Sequence, residues 1–300
     1  MFLGKPFAKA FPGLFAISLL IALSACGGGG SSDAPVAQVQ QSFQRISSFP
    51  VYLNSKYGHK TSANSIAVSA DGNTLAYTDR ALESIGLVDI SNPAAPVPLG
   101  VIALGGEPAA LLFHSGQLLV ALDTSLDFVH VSGSLLVIDP ATRQQLGSID
   151  LSGQPDAMAL SPDGRFAAIV IENRRDQNLN NGESEQAPAG LLQIVRLASE
   201  LADWSTTDVS LSGLAGLLAD DPEPVSVSIN SENIAALTLQ KNNHIVLVDL
   251  NSGTVLRHFS AGSTDLEQID RTADGVIALT QSQAGVLREP DGLRWLGDGR

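Results

Sequence analysis

The stretch DAMALSPDGRFAAIVI, residues 156–171, contains the pattern that decides the fold. Apolar alternation leads into an Asp-Gly turn at Gly164, and a second apolar run follows. Period-two alternation on both sides of a tight turn is typical of a β-hairpin. Three other stretches repeat the pattern: residues 65–78 (SIAVSADGNTLAYT), 108–122 (PAALLFHSGQLLVAL) and 224–239 (PVSVSINSENIAALTL, with the turn eroded). The chain is therefore predicted to repeat one hairpin-based unit.

The spacing of the repeat indicates the architecture. The turn glycines Gly72, Gly116 and Gly164 lie 44 and 48 residues apart, and periods of about 40 to 50 residues are typical of propeller blades. Each hairpin is followed by a third strand (SIGLVDI, SLLVIDP, LLQIVRL, HIVLVDL), and fourth strands are visible in QQLGSIDL and TVLRHFSA. A β-sandwich, the alternative all-β fold, does not require this period. We predict an all-β β-propeller of four-stranded antiparallel blades, with four complete blades plus partial ones in an open or incomplete ring.

Composition narrows the class of protein. The chain has 300 residues, 44% of them hydrophobic and 16% charged, which is enough apolar chain for a large core and excludes intrinsic disorder. Its formal net charge of −14 has the wrong sign for binding phosphate backbones, so no nucleic-acid partner is expected. The single cysteine excludes an internal disulfide framework and a cysteine-cluster metal site.

The N-terminus is predicted to direct export. Two lysines precede the apolar stretch LFAISLLIAL (14–23), which is too short to span a bilayer and ends at Ala25-Cys26. This arrangement resembles the bacterial lipobox, in which the cysteine accepts diacylglycerol; a buried thiol or an ordinary cleavage site is the alternative. No aspartate follows Cys26, which implies an outer-membrane lipoprotein held by its lipid anchor. Cleavage would leave 15 basic against 31 acidic residues, a charge of −16.

The predicted organisation follows from these segments. Residues 1–25 form the lipoprotein signal peptide, residues 26–41 a lipid-anchored flexible linker containing GGGGSS, and residues 42–300 the propeller domain. The segment FQRISSFPVYL (43–53) is interpreted as a strand without a blade of its own, which would complete the last blade. Asp298-Gly299 repeats the turn expected inside a further blade. We therefore expect the propeller to be incomplete at the C-terminus.

Topology predicts which polar residues meet on one rim. In a propeller meander the connection between blades and the loop between the second and third strands open on the same face. A recurring position just before each inner strand holds Glu107, Gln154, Glu223 and Glu289. With no matching basic ring in the sequence, repulsion among these carboxylates, with Asp291 beside them, favours a bound calcium ion. A solvated acidic rim is the alternative.

The loop of residues 172–183 is the longest between strands and is predicted to be functional. Its alternating Asp176, Asn178 and Asn180 are similar to the start of a calcium loop, but Ala187 stands where an EF-hand needs glutamate, so only a looser calcium site is expected. Further rim candidates for ligand binding are Glu172, Gln240, Asn242 and Asn243.

Catalytic chemistry is only weakly indicated. The chain has no G-x-S-x-G motif, and its five histidines form no metal-spaced pair in sequence. Guanidinium groups would hold the oxygens of an ester. The candidates for a catalytic role are therefore Arg174, Arg175, Arg288 and, as the histidine nearest the predicted rim, His244.

Longer motifs carry a family resemblance. The units resemble YVTN-type propeller repeats, and YTDRALESIGLVDISNPAAP, IENRRDQNLNNGESEQAPAGLLQIV, LQKNNHIVLVDL and REPDGLRWL are similar to the bacterial phytase-like proteins, also described by esterase-like activity of phytase. That family continues beyond REPDG, so this chain resembles its N-terminal portion. The resemblance implies calcium-assisted hydrolysis of a phosphoester or ester on the rim. The alternative is a non-catalytic module that binds a cell-envelope protein or polymer.

Overall fold

The computed structural model describes residues 44–55, 59–176, 178 and 186–296. In these residues it contains eighteen β-strands and three short 3₁₀ helices, at Val51–Leu53, Arg80–Leu82 and Leu201–Asp203. Blade 1 contains β1 (Ala63–Val68), β2 (Thr74–Asp79), β3 (Ser84–Asp89) and β4 (Val97–Ala103), and blade 2 contains β5 (Glu107–His114), β6 (Gln117–Asp123), β7 (Gly133–Ile138) and β8 (Gln145–Leu151). Blade 3 contains β9 (Pro155–Leu160), β10 (Phe166–Ile171), β11 (Leu191–Arg196) and β12 (Ser205–Ser210), and blade 4 contains β13 (Pro224–Ile229), β14 (Ile234–Leu239), β15 (His244–Asp249) and β16 (Thr254–Ser260). A separate hairpin contains β17 (Ser263–Ile269) and β18 (Gln281–Leu287).

Each blade is a four-stranded antiparallel meander in chain order. The turns between first and second strands contain glycines with positive φ, +74° at Gly72, +80° at Gly116 and +71° at Gly164. Glycine adopts this left-handed backbone without the steric cost that a side chain would add. The predicted repeat of hairpins, and its extension to four strands per unit, is confirmed.

Strand β10 shows why the sheets stack as blades rather than as two layers of a sandwich. All six of its residues are buried. Its alternate residues Phe166, Ala168 and Val170 pack toward blade 4, whereas the intervening Ala167, Ile169 and Ile171 pack toward blade 2. Because successive side chains point to opposite faces of a strand, one buried strand contributes to two separate cores.

Three hydrophobic clusters fill the spaces between neighbouring blades, one each for blades 1 and 2, 2 and 3, and 3 and 4. The first strands β1, β5, β9 and β13 are sequential neighbours, as expected for the inner strands of a propeller. The sheets of the described residues do not close into a ring. The fold is therefore an incomplete β-propeller with four complete blades, as predicted.

Two expectations about further strands are wrong. The segment predicted as a strand at residues 43–53 has no strand among its described residues, which are irregular up to the 3₁₀ helix Val51–Leu53. Asn54, just after this helix, donates to the Leu87 carbonyl (2.9 Å) and accepts from the Gly100 amide (2.9 Å), which fixes the segment to blade 1 by side-chain hydrogen bonds. The segment after REPDG is also irregular, although Trp295 donates its indole N–H to the Ser228 carbonyl at 3.0 Å.

The described residues from Arg45 onward belong to one compact unit. The described residues include no helix with the length and apolar character needed to cross a bilayer. Several predicted features lie outside the described residues: the signal peptide with Cys26, the linker, Asn180 and the Asp298-Gly299 turn.

Candidate functional site on the propeller rim

The loops after the second strands and the connections before the first strands meet on one face, as the meander topology predicts. Arg80, in the loop between β2 and β3, forms an ion pair with Glu107 at the start of β5 in the next blade. Arg174, in the loop after β10, lies 2.9 Å from the Asp123 carboxylate and 3.7 Å from that of Glu107. Blades 1, 2 and 3 therefore share one charged cluster, in which the Arg80, Glu107 and Arg174 side chains are about one-third exposed.

A second charged cluster on the same rim is buried. The Arg175 Nε atom lies 2.8 Å from the Asp221 carboxylate and 2.5 Å from that of Glu223, and the three side chains are 10%, 1% and 9% exposed. Burial raises the pKa of Glu223, and the adjacent Arg175 guanidinium opposes this rise. The cluster joins the long loop of blade 3 to the connection that leads into blade 4.

The recurring acidic position follows a simple rule. Glu107, Glu223 and Glu289 each pair with a cation from the loop of the preceding blade, the last through Lys241 at 2.8 Å. At the neutral Gln154, the side chain instead accepts the Arg174 backbone N–H at 2.8 Å. The expectation that no basic partners match these glutamates is wrong, because the partners come from loops that are distant in sequence.

Two buried asparagines shape the rim from beneath. The Asn173 side chain accepts the Gln154 N–H (2.9 Å), and the Asn242 side chain accepts the Glu223 N–H (2.9 Å). Asn242 also donates to the carbonyl of Leu217 and to two further carbonyls. Asn242, predicted as a ligand-binding residue, therefore holds the connection before an inner strand.

The rim contains a polar cavity of about 610 Å³, which we call the rim cleft. It is lined by Phe128, Glu172, Arg174, Arg175, Asp176, Asn178, Glu223, Gln240 and Lys241. A second cavity of about 480 Å³ shares Phe128 and Arg174 with it and also includes Glu107, Asp123 and Gln154. Seven of the residues predicted from the sequence thus line one cleft.

Two carboxyl groups near the rim cleft have perturbed acidity. Burial, with the nearby Asp156 and Glu223 carboxylates, raises the pKa of Glu172 to about 7. Burial also raises the pKa of Asp156, against the opposing effect of the Arg80 and Arg174 guanidinium groups. Glu172 therefore exchanges its proton near neutral pH, where acid–base chemistry is most effective.

The oxygen atoms proposed for calcium are largely engaged within the protein. One Asp176 carboxylate oxygen accepts both the backbone N–H and the side-chain amide of Asn178, at 2.9 and 3.0 Å. The carboxylates of Glu107 and Glu223 are held by arginines. Within the described ranges no set of three or more His, Cys, Asp or Glu side chains is arranged to hold a metal ion. The described residues thus do not present a ready calcium site, and calcium stays a prediction.

Other predicted site residues do not line the rim cleft. Arg288 donates to the Ala261 carbonyl at 2.9 Å, and Asp291 accepts the Thr238 hydroxyl through its backbone carbonyl at 2.7 Å. Asn243 is buried in the turn before β15, where its backbone carbonyl accepts the Ala261 N–H. The His244 ring contacts the His258 ring, with 3.0 Å between their nitrogens, and does not line the cleft.

Sequence reasoning missed two residues of this region. Phe128 is 40% exposed at the junction of the two cavities, and it lies in the long loop between β6 and β7. An aromatic side chain in a loop longer than a hairpin needs was the available signal. Asp156 lies on the inner strand β9, two residues after Gln154, and an acidic residue on a predicted inner strand was the available signal.

Comparisons with known proteins add little to this geometry. No protein-family model matches the chain, and no curated protein matches it. Among solved structures, a similar one is the Kuenenia stuttgartiensis hydrazine synthase, with 14% sequence identity and a TM-score of 0.39. That match covers 63% of this chain and 65% of the other, less than two-thirds of its length. The resemblance to phytase-like proteins thus stays a prediction.

Proposed function

We propose that this protein is a binding propeller whose rim cleft takes a polyhydroxylated ligand, such as a saccharide of the cell envelope. The observation that carries the proposal is the mixed lining of the cleft. Glu172, Asn178 and Gln240 supply carboxyl and amide groups beside an exposed aromatic ring, Phe128. Hydroxyl groups both donate and accept hydrogen bonds, so they match such a lining without needing net charge.

The ion pairs support this ligand class over a strongly charged one. Arg175 is buried between two carboxylates, and Arg174 lies between Glu107 and Asp123. An anionic ester would have to compete with these internal carboxylates for the guanidinium groups. A ligand with neutral hydroxyls binds without breaking the pairs.

The test is to titrate the purified protein with oligosaccharides from the bacterial envelope and to measure binding by calorimetry and saturation-transfer NMR. Phe128→Ala should weaken binding by at least about tenfold, because aromatic anchors dominate small interfaces. Val129→Ala is the matched control, since this neighbouring side chain is 61% exposed in the same loop. No binding of any envelope saccharide, or equal affinity in the two variants, would contradict the proposal.

Hydrolysis is a second proposal, and the acidity of Glu172 favours it. A carboxyl group with a pKa of about 7 in a polar cleft is suited to act as a general acid or base on a phosphoester or ester. Turnover of a chromogenic ester with a pH optimum near 7, lost in Glu172→Gln, would support this activity. Binding without turnover over a panel of phosphoesters and esters would leave the binding proposal as the function.

Calcium is tested separately, because neither proposal depends on it. A calcium ion that binds only the folded protein raises the melting temperature by mass action. The rise should be reduced in Asp176→Asn and retained in Asp265→Asn, whose aspartate lies on the separate hairpin at β17. An unchanged melting temperature over millimolar calcium would count against a calcium site on this rim.

We further propose that the chain is exported and anchored to the outer membrane through Cys26. One lipidated residue with two or more acyl chains supplies the membrane affinity, at about 0.8 kcal/mol for each buried methylene. Metabolic labelling with palmitate should mark the wild-type protein and not Cys26→Ala, and membrane fractionation should follow the label. Ser31→Ala, in the predicted linker, is the control.

A further inference from the structure

Two histidines meet on blade 4, and neither lines the rim cleft. His244 begins β15 and His258 lies in the adjacent strand β16. The strands pair with Val246 opposite His258 and His244 opposite Ser260, so the histidines are diagonal neighbours. The His244 Nε2 atom lies 3.0 Å from the His258 Nδ1 atom, so the two rings share a hydrogen bond whose donor depends on the tautomer. The histidine spacing in sequence conceals this pair because a hairpin, not a local motif, brings the rings together.

The geometry of the two nitrogens suits a shared metal ion. With metal–nitrogen bonds of about 2.1 Å, ligands at 90° to each other stand about 3.0 Å apart, and tetrahedral ligands stand about 3.4 Å apart. The observed separation of 3.0 Å therefore matches two adjacent positions of a square-planar or octahedral ion. Without metal, one inner nitrogen carries the proton of this hydrogen bond. When that proton moves to the outer nitrogen of the same ring, both inner lone pairs are free and the number of bound protons is unchanged.

The surroundings leave the pair accessible. His244 is 8% exposed, whereas His258 is an exposed residue, so an ion would enter from the side of His258. The nearest cation on β16, Arg257, stacks over Phe259, and alternation along the strand puts both on the opposite face from His258. The net charge of −14 also favours accumulation of cations near the protein.

We infer that His244 and His258 form a two-histidine site for Cu²⁺ or Ni²⁺ on blade 4. Both ions accept imidazole nitrogens in tetragonal geometry, and Cu²⁺ binds such ligands most tightly of the divalent first-row metals. The described residues supply no third His, Cys, Asp or Glu to the pair, so water or an external ligand completes the coordination. Zn²⁺, which prefers tetrahedral ligands, fits the pair less well.

The test uses the full-length chain without an affinity tag, with Cys26→Ser to remove the thiol. Electron paramagnetic resonance at substoichiometric Cu²⁺ should show one ion bound to two imidazole nitrogens. His258→Gln should remove the two-nitrogen signal and weaken Cu²⁺ binding by about tenfold or more, and His244→Gln should do the same. His130→Gln is the control. The exposed His130 ring lies 2.9 Å from the Asp127 carboxylate, so these two side chains are the competing copper site that the control removes.

Competition calorimetry distinguishes the metals. Ni²⁺ should bind the pair more tightly than Zn²⁺, and both affinities should fall in His258→Gln. Circular dichroism of this variant checks that the propeller is intact, which we expect because the side chain is exposed. A one-nitrogen copper signal, binding unaffected by His258→Gln, or loss of binding only in His130→Gln would overturn the inference.

Discussion

Two charged clusters on one rim use the same position of the repeat in different ways. In the cluster of Arg80, Glu107 and Arg174, side chains are about one-third exposed. In the cluster of Arg175, Asp221 and Glu223, they are at most 10% exposed. Exposed ion pairs contribute little to stability, whereas a buried charge that loses its partner is costly. The same glutamate position therefore belongs to an accessible surface in one blade and to a buried structural junction in another.

The largest loss of stability is expected from a substitution in the buried cluster. Arg175→Met leaves the Asp221 and Glu223 carboxylates without their guanidinium partner and should lower the free energy of unfolding by about 3–5 kcal/mol. Urea denaturation measures the loss. Arg165→Met is the control on the same blade, because the Arg165 side chain is 53% exposed. A loss below about 1 kcal/mol would show that the buried cluster resembles the exposed one.

The next effect concerns the asparagine that holds the same junction. Asn242→Ala removes the partner of the buried Glu223 N–H and of the Leu217 carbonyl, and should lower the free energy of unfolding by about 2 kcal/mol. Asn178→Ala, an exposed asparagine on the same rim, is expected to change stability by less than about 0.5 kcal/mol. Equal denaturation midpoints for the two variants would mean that the junction is held by other contacts.

A pH-dependent effect is expected between the clusters, at Glu172. Its pKa of about 7, above the ordinary value of 4.5, means that the folded protein binds this proton more tightly than the unfolded chain. The resulting contribution to stability is complete below pH 4.5 and is lost as the pH rises to about 7. Glu172→Gln should therefore gain stability relative to wild type, on the order of 2 kcal/mol, over this interval.

Thermal unfolding of both proteins from pH 4 to pH 8 measures this difference. Glu267→Gln provides the control for a neutral amide at an exposed glutamate, on β17. A constant difference between Glu172→Gln and wild type across the range would refute the assignment of the titrating group.

The smallest effect is expected at the exposed cluster. Arg80→Gln removes the pairing with Glu107 but leaves Arg174 near the same carboxylate, so the loss should be below about 1 kcal/mol. Raising the salt concentration from 0.1 to 1 M should shrink this loss further, because exposed pairs are screened. A large loss of stability that did not change with salt would mean that the exposed cluster contributes to stability as the buried cluster does.

The fold could be predicted because its information is local. Alternation around Gly72, Gly116 and Gly164 defines hairpins, and their period defines blades. The segment 43–53 was mispredicted because its hydrogen bonds to blade 1 use side chains, such as the Ser47 hydroxyl that donates to the Pro93 carbonyl, in place of backbone pairing along a strand edge. Asn54, the next residue, also fixes the segment to blade 1, through contacts to Leu87 and Gly100, which are far along the chain.

The site could be predicted in position but not in detail. Meander topology places Glu107 and Glu223 on the same rim as the long loop, and this placement is observed. The pairing of each glutamate with a particular arginine depends on how far each loop reaches, which a single sequence does not reveal. For the same reason the sequence predicted a metal ion to balance the charge of the rim carboxylates. In the structure, Arg80, Arg174 and Arg175 pair with these carboxylates.

Strand β10, with its two sets of buried residues, has a consequence for how the molecule opens. Because Phe166 belongs to one core and Ile169 to another, blade 3 cannot separate from one neighbour without disturbing the strand that faces the other. Amide hydrogens of β10 should then exchange with solvent only when at least two blade interfaces open together. Those of β17, which is largely exposed, should exchange through small local fluctuations. Blades 2, 3 and 4 would thus unfold together rather than one blade at a time.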